Sequence, residues 1–410
     1  MPAEGVAVSV PMARRALVLL TAVNLLNYLD RYVLAALGES LAHSPLAITD
    51  TEFGLLASGF IVVYMLAAPW FGTLGDTRSR IGLVALGVFL WSAATGLGSL
   101  AWGFASLFAA RALVGVGEAA YGTIAPSLLA DYFRPAVRGR VFATFYAAIP
   151  IGSALGYVVG GLADVHWGWR GAFLVAGAPG LVLGFAVRRL AEPPRGTGNS
   201  RPVGPLRAWS ALARRRPYVL TVLGYAAYTF ALGGMAAFLP KFLIRVRGLP
   251  EAHATLWSGL CLAATGFAGT AAGGAVGDWL LRWTRQAHLW VSGVATLMAA
   301  PVGWIALTSP HPATYWTAIV AAEFLLFTST GPVNSAIITF SPPEIRATAM
   351  AVSIFVIHVL GDVPSPTIIG ALSDASSLAQ AVRIIPLAVA VAGLIWTWAA
   401  WRLSPPAPRG

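Results

Sequence analysis

Charge is scarce in this chain. Of its 410 residues only 10% are Asp, Glu, Lys or Arg, whereas a soluble globular protein carries about 25%. A water-facing surface for so long a chain cannot be built from that supply. Cysteine is scarcer still: Cys261 stands alone, so an intrachain disulfide is excluded, and the residue reads as small apolar filler. No His/Cys cluster has the spacing of a zinc site, so no metal or cofactor is expected. No phosphate-cradling glycine loop and no nucleophile–His–Asp set are found, which argues against a nucleotide-driven pump and against an enzyme. Lysine is nearly absent: Lys241 is the only one. The net charge of +11 is therefore carried by arginine, and these arginines fall in short gaps between apolar runs. Membrane topology explains that placement better than nucleic acid does.

Apolar residues are abundant, at 57%. They form twelve runs long enough to cross a bilayer, which takes about twenty residues each. The runs are 16–37, 53–75, 81–101, 104–130, 139–163, 171–190, 217–243, 254–280, 287–308, 313–340, 347–373 and 381–402. The first contains Asp30 and Arg31 and does not read as a cleavable signal. With the N-terminus inside, twenty Lys/Arg lie on that side and five on the other, so the positive-inside rule places both termini in the cytoplasm.

The longest gap, 191–216, divides the chain into residues 1–190, a linker, and residues 217–410. Within the linker Leu206, Trp209 and Leu212 recur at helical spacing among arginines. They suggest either an interfacial helix on an anionic leaflet or a solvated connection. The halves echo each other: Gly72-Thr73-Leu74-Gly75-Asp76 returns as Gly274-Ala275-Val276-Gly277-Asp278. An apolar six-plus-six repeat is the signature of a transporter built from two related bundles. The fold class expected is an all-α membrane protein of twelve transmembrane helices in two six-helix bundles. Glycines at spacing four, 152/156/160 and 269/273/277, mark close helix contacts, read as packing or as a seam that slides between the halves.

Charged residues inside the spans single out a pathway. A charge at hydrocarbon depth costs at least ~2.5–3.5 kcal/mol and so faces a polar interior. Asp30 sits mid-way along the first span with Asn27 one turn earlier; Arg31, its neighbour, lies on a different face. Arg111 and Glu118 are seven apart in the fourth span and share a face. A guanidinium beside a carboxylate favours its charged form. An Arg111 that changes partner would therefore alter whether Asp30 or Glu118 holds a proton. Permanent ion pairing is the alternative. Arg111 is also suited to a substrate phosphate through its forked donors. In the second half Glu323 aligns at helical spacing with Thr330 and Asn334, and reads as polar lining or as a local hydrogen-bonded acid. Tyr121, Tyr146 and Tyr228 lie in spans expected near a cavity, where they could meet an acyl chain and its head group. His358 and Asp362 are one turn apart ahead of Pro364 and Pro366, which points to a kink or gate, or to polar packing.

The loop Gly72-x-Leu74-x-Asp76-x-x-x-Arg80, with its second copy ending at Asp278, resembles the signature loop of the major facilitator superfamily. Thr77, Ser79 and Ile81 stand where the family often has arginine, glycine and lysine. Finer motifs resemble the spinster family within it: Asn27 to Arg31, Arg111 to Ala119, Ile124 to Asp131, Phe145 to Ser153, Glu192 to Gly196 and His358 to Pro366. The resemblance spans essentially the whole chain. It implies alternating access and export of single-chain lipids with a polar head, of the lysophospholipid or sphingoid phosphate type, with proton coupling through Asp30, Glu118 and Arg111. It also implies that Asp76 and Asp278 are gate residues, and that Arg80 reaches Asp131 at the cytoplasmic face. The expected partners are an amphiphilic substrate, protons and membrane lipids, with no nucleic acid. The protein is expected to be a monomer in a bacterial inner membrane. A proton-coupled drug or small-metabolite exporter is the competing expectation. A membrane-embedded lipid enzyme or a non-transporting sensor is the reading from a different class.

Overall fold

In the computed structural model, residues 10–194, 205–342 and 345–403 are described, and they are helical almost throughout. Backbone polar groups in hydrocarbon must be satisfied within the segment, and helices achieve this for every apolar run. The elements are α1 (Val10–Ala36), α2 (Gly38–His43), α3 (Asp50–Thr77), α4 (Arg80–Gly98), α5 (Phe104–Tyr132) and α6 (Pro135–Arg188). They are followed by α7 (Pro205–Ala213), α8 (Arg216–Arg245), α9 (Glu251–Leu280), α10 (Ala287–Thr308), α11 (Pro312–Thr328) and α12 (Thr330–Thr339). Last come α13 (Arg346–Ile357), a π-helical turn His358–Asp362, α14 (Pro364–Ala375), α15 (Leu378–Ala381) and α16 (Ile384–Leu403).

Eleven helical stretches among the described residues are long and apolar enough to span a membrane. One of them runs through α6 and is broken at Gly168, whose φ of 69° lies in the left-handed region that favours glycine. The break divides α6 into two crossings, which brings the total to twelve. Arg170, just past it, donates to the carbonyls of Ser99 and Ala101 and so satisfies the end of α4, where a cation also suits the helix dipole. The run 313–340 is interrupted at Ser329, between α11 and α12. The other breaks follow local chemistry. Thr49 and Glu52 form a reciprocal cap at the start of α3, and the Ser79 hydroxyl accepts from the Gly82 N–H at the start of α4.

The chain forms two compact units: residues 1–200 with 243–259, and residues 201–242 with 260–410. In unit 1 the core is apolar around Leu20, Val84, Val88, Trp91, Val114 and Leu128, while Asn24, Asn27, Asp30, Arg111 and Glu118 are all buried beside it. Large apolar side chains such as Leu66, Trp70, Val182 and Phe185 are instead exposed, as lipid-facing positions are. In unit 2, α7 carries Leu212 into a cluster with Tyr218, Val222, Ile337 and Val352, and Trp209 meets Phe355 edge-on. The linker contains the short helix α7, with Leu212 buried against unit 2 and Trp209 partly exposed.

The glycine stripes act inside each unit. A Cβ on Gly156 would stand 2.5 Å from the Leu29 carbonyl oxygen and 2.6 Å from Tyr32 Cβ; one on Gly152 would strike the Leu25 carbonyl. Gly269 and Gly273 approach the α11 backbone at Phe324 and Thr328 in the same way. Of the two readings, packing or a seam sliding between the halves, these contacts fit packing: in this structure α1 lies close on α6 and α9 on α11, and the first contact positions the helix that carries Asp30.

Candidate functional site

The charged side chains of α1 and α5 meet in two crossed pairs. Arg31 Nε donates to Glu118 Oε2 at 2.7 Å, and Arg111 Nη1 lies 3.5 Å from Asp30 Oδ2. Arg111 thus pairs with Asp30 rather than with Glu118, and Arg31, on a different face of α1 from Asp30, supplies the cation for Glu118. Seven residues along α5 is a rise of about 10.5 Å, so Arg111 and Glu118 share a face at different heights. Adjacent residues of α1 then each reach across to one of them. Asp30 Oδ2 also accepts from the Thr95 hydroxyl at 2.9 Å, which brings α4 into the site.

Aromatic faces complete the setting. The Arg31 guanidinium lies over the rings of Tyr28, Phe60 and Tyr64, and that of Arg111 lies over Phe60 at 5.2 Å. One α3 ring thus contacts both cations. Several polar atoms here are buried without a hydrogen-bond partner: Asn27 Nδ2, Asp30 Oδ1, Glu118 Oε1, and Arg111 Nε and Nη1. Buried polar groups are nearly always hydrogen-bonded. This cluster therefore has unspent donors and acceptors, and can bind a polar group or pass a proton.

The tyrosines separate by environment. Tyr121 is in the core and donates to the Leu20 carbonyl at 2.6 Å, and Tyr228 is buried and donates to the Leu326 carbonyl at 2.9 Å. Both hydroxyls are occupied by packing. Tyr146 is half exposed and stacks on Phe142. Asn334 donates to the Thr330 carbonyl at 2.8 Å, with the Tyr225 hydroxyl 3.4 Å away.

Glu323 does not share that lining, because the break at Ser329 changes the helix phase between them. It accepts from the Thr265 hydroxyl at 3.0 Å and opens onto an apolar cavity of unit 2 walled by Phe238, Phe242, Leu307, Ile319 and Leu326. His358 Nδ1 lies 2.8 Å from Asp362 Oδ1 across the π-helical turn. That turn holds one extra residue just ahead of Pro364, a place where helices commonly bend.

At the junction of α3 and α4, Arg80 Nη1 donates to Asp131 Oδ2 at 2.5 Å and Arg80 Nη2 to the Pro193 carbonyl at 3.1 Å. Glu192 joins them, accepting from the Ser79 hydroxyl at 2.6 Å and from the Arg80 backbone N–H at 3.0 Å. Burial works to raise the Glu192 pKa, but these hydrogen bonds and the Arg80 guanidinium outweigh it and hold the carboxyl below its usual range. Asp278 is exposed at the end of α9, and the Asp76 side chain lies outside the described residues.

A second cluster had no forewarning in the spacing of the sequence. Arg245, at the end of α8, bonds Glu39 (3.1 Å) and Asp50 (2.6 Å). The hints outside spacing are Lys241, Arg245 and Arg247 running against the charge trend and an aspartate in the first turn of a capped helix. Arg31 and Phe60 were also missed: the pairing of Arg31 depends on helix packing, and Phe60 is one apolar residue among many.

The comparisons with known proteins agree with this architecture. The family model described as Major Facilitator Superfamily matches residues 20–363. Protein spinster homolog 1 of Bos taurus is 37% identical over 381 residues, covering 86% of this chain and 71% of that protein. The sphingosine-1-phosphate transporter SPNS2 of Mus musculus is 32% identical over 410 residues, covering 91% and 74%. The crystal structure of a bacterial homolog to the human lysosomal transporter Spinster, in an inward-facing and unoccupied conformation, aligns with a TM-score of 0.87 at 22% identity. That alignment covers 96% of this chain and 98% of that one. This chain is an integral membrane transporter, not an enzyme, and belongs to the spinster family of the major facilitator superfamily.

Proposed function

We propose that this transporter moves an amphiphilic, lipid-like substrate of the lysophospholipid or sphingoid phosphate type by alternating access of its two halves, 1–190 and 217–410, and that protons drive it. The observation that carries this reading is the crossed pairing of Asp30–Arg111 and Arg31–Glu118 with unspent polar atoms left on both carboxylates and on Arg111. A phosphate suits the forked donors of Arg111. Its arrival would draw Arg111 from Asp30, and the carboxylate left without its cation would then take a proton. Within unit 1, Asn27 and Glu118 would complete the head-group contacts, with Tyr146 half exposed in the same unit. In unit 2, taken by itself, the cavity beside Glu323 is apolar enough to take an alkyl group, and Asn334 is a candidate polar contact. The transport activity printed in the name of mouse SPNS2 points to the same substrate class. On this reading Arg80 with Asp131, Asp76, Asp278, and the His358–Asp362 pair are gating groups. Both termini face the cytoplasm of a bacterial cell, and the working unit is a monomer.

The test is uptake of lysophospholipid and of sphingoid phosphate into proteoliposomes with and without a pH gradient, beside a binding titration. Asp30→Asn holds the neutral form with little change in shape. It should abolish gradient-driven uptake while binding remains measurable. Arg111→Lys keeps the charge and loses the fork, so it should weaken binding of the phosphate-bearing substrate most. Uptake confined to small polar metabolites or drugs would replace the lipid reading. An unchanged pH-gradient response in both Asp30→Asn and Glu118→Gln would show the carboxylates to be structural.

A further inference from the structure

Unit 1 contains a pair of carboxylic acids that the transport site does not use. Asp164 lies in α6 just before the Gly168 break and is 6% exposed. Glu251 is the first residue of α9 and belongs to the 243–259 segment that packs with unit 1. Their carboxyl groups hydrogen-bond each other. Asp164 Oδ1 accepts from the Ser40 hydroxyl at 3.0 Å, while Asp164 Oδ2 and Glu251 Oε1 are buried with no other partner. Two ionised carboxylates are acceptors only and cannot form such a bond; one must carry a proton.

The surroundings favour that proton. Ser40 and Glu39 of α2 face the pair, and Glu39 links it to His43 of α2 and to Arg245 of α8, which also holds Asp50 of α3. Arg245 is already held by Glu39 and Asp50, and the exposed His43 ring leans on Glu39 at 3.7 Å. Arg247, between α8 and α9, is the remaining cation of the segment. Four carboxylates thus lie along this network, and Arg245 is divided between two of them. The backbones are close: a Cβ on Gly161 would overlap the Thr255 side chain, and one on Gly259 would stand 2.6 Å from the Ala154 carbonyl oxygen. Two like charges at this contact would repel across the α6–α9 packing.

We infer that Asp164 and Glu251 hold a single proton between them, and that this proton is a latch fastening residues 243–259 to α6 and α2. With it the pair is a hydrogen bond; without it the pair is two facing negative charges, and the segment lets go. The latch would make the detachment of this segment depend on pH independently of any proton carried by Asp30.

The test is a distance measurement by pulsed electron paramagnetic resonance in reconstituted full-length protein. Spin labels are placed by H166C and H253C, both exposed positions, in a C261S background. These substitutions also remove two nearby histidines, so a pH response cannot come from them. The expected result is one short-distance population at mildly acidic pH and the growth of a longer one at alkaline pH. E251Q and D164N each supply a permanent donor, and each should lose the alkaline population and keep the short distance at both pH values. A distance distribution that does not change with pH in the parent protein would overturn the latch. So would an alkaline population that persists undiminished in E251Q and D164N. Because the readout needs no transport, failure of the latch and failure of the lipid reading are separable.

Discussion

Arg31 Nε donates to Glu118 Oε2 across 2.7 Å, joining α1 to α5 at a carboxylate with no solvent exposure. One residue earlier on α1, Asp30 meets Arg111 from the other end of the same α5 face. Both guanidiniums lie over the Phe60 ring, so the two links form one cluster and a change of partner at one is felt at the other.

Breaking the first link from one side should therefore cost more than removing it whole. Arg31→Met leaves Glu118 as a buried anion without its cation, and loss of one member of a buried pair costs about 3–5 kcal/mol. Replacing both, as Arg31→Met with Glu118→Gln, leaves no stranded charge. Thermal unfolding in detergent should show the single Arg31→Met variant as the least stable and the double variant as partly recovered, a positive coupling in the double-mutant cycle. Additive losses would mean that the bond contributes nothing as a pair.

Phe60 presents its ring to both guanidiniums, 5.0 Å from Arg31 and 5.2 Å from Arg111. Such a contact contributes about 0.5–2 kcal/mol, more where water is excluded. Phe60→Leu keeps the apolar volume and deletes both contacts. It should lower the midpoint of unfolding and weaken substrate binding about tenfold or more, whereas Phe60→Tyr should retain both. Isothermal titration of the purified variants reads the difference.

Much of this architecture is legible in the chain because the bilayer makes length and apolarity decisive. Twelve runs, the gap at 191–216 and the repeated Gly72–Asp76 motif follow from composition and spacing. Asp30, Arg111 and Glu118 stand out because charge inside a span is costly. Their pairing is not legible: which of two adjacent α1 residues meets which α5 residue depends on the axial offset of packed helices. Phe60 escapes notice for a related reason, since its role comes from two cations that arrive on other helices. Glu323 and Asn334 share a helical phase only if the tenth run is unbroken, and Gly331-Pro332, which mark the restart after Ser329, are masked by the apolarity of that run. Asp164 and Glu251 are nearly ninety residues apart and sit at helix ends, where an acid normally reads as solvated.

The packing of α1 on α6 yields a sharper test of the glycine stripe. A side chain at Gly156 meets backbone carbonyl and Tyr32 Cβ at 2.5 and 2.6 Å, and neither can yield without moving a helix. Gly274 on α9 has nothing within 4 Å of its would-be Cβ. Gly156→Leu should fail to fold or lose most of its thermal stability. Gly274→Ala should be neutral or stabilising by about 0.5–1 kcal/mol, the conformational gain of alanine over glycine within a helix. Unfolding curves that rank the two in the opposite order would show the seam to be loose.

Glu192 gives a pH prediction whose sign follows from its bonds. Burial alone would raise its pKa, but the Ser79 hydroxyl, the Arg80 N–H and the Arg80 guanidinium hold its folded-state pKa below the unfolded value. A carboxylate depressed in this way stabilises the fold at pH above its unfolded pKa, and that contribution is lost as pH falls through the folded one. Near neutral pH the wild type should therefore unfold at a higher temperature than Glu192→Gln, which keeps an acceptor but has no charge for Arg80. On acidification below the usual glutamate range the gap should close, because the wild-type carboxyl becomes neutral too. The group is partly exposed and screened, so the gap should be small and should shrink with salt. A gap that stays constant down to the most acidic pH at which the protein remains folded would mean that the amide disturbs the Ser79 and Arg80 contacts sterically, and that the charge of Glu192 does not hold this end of the bundle.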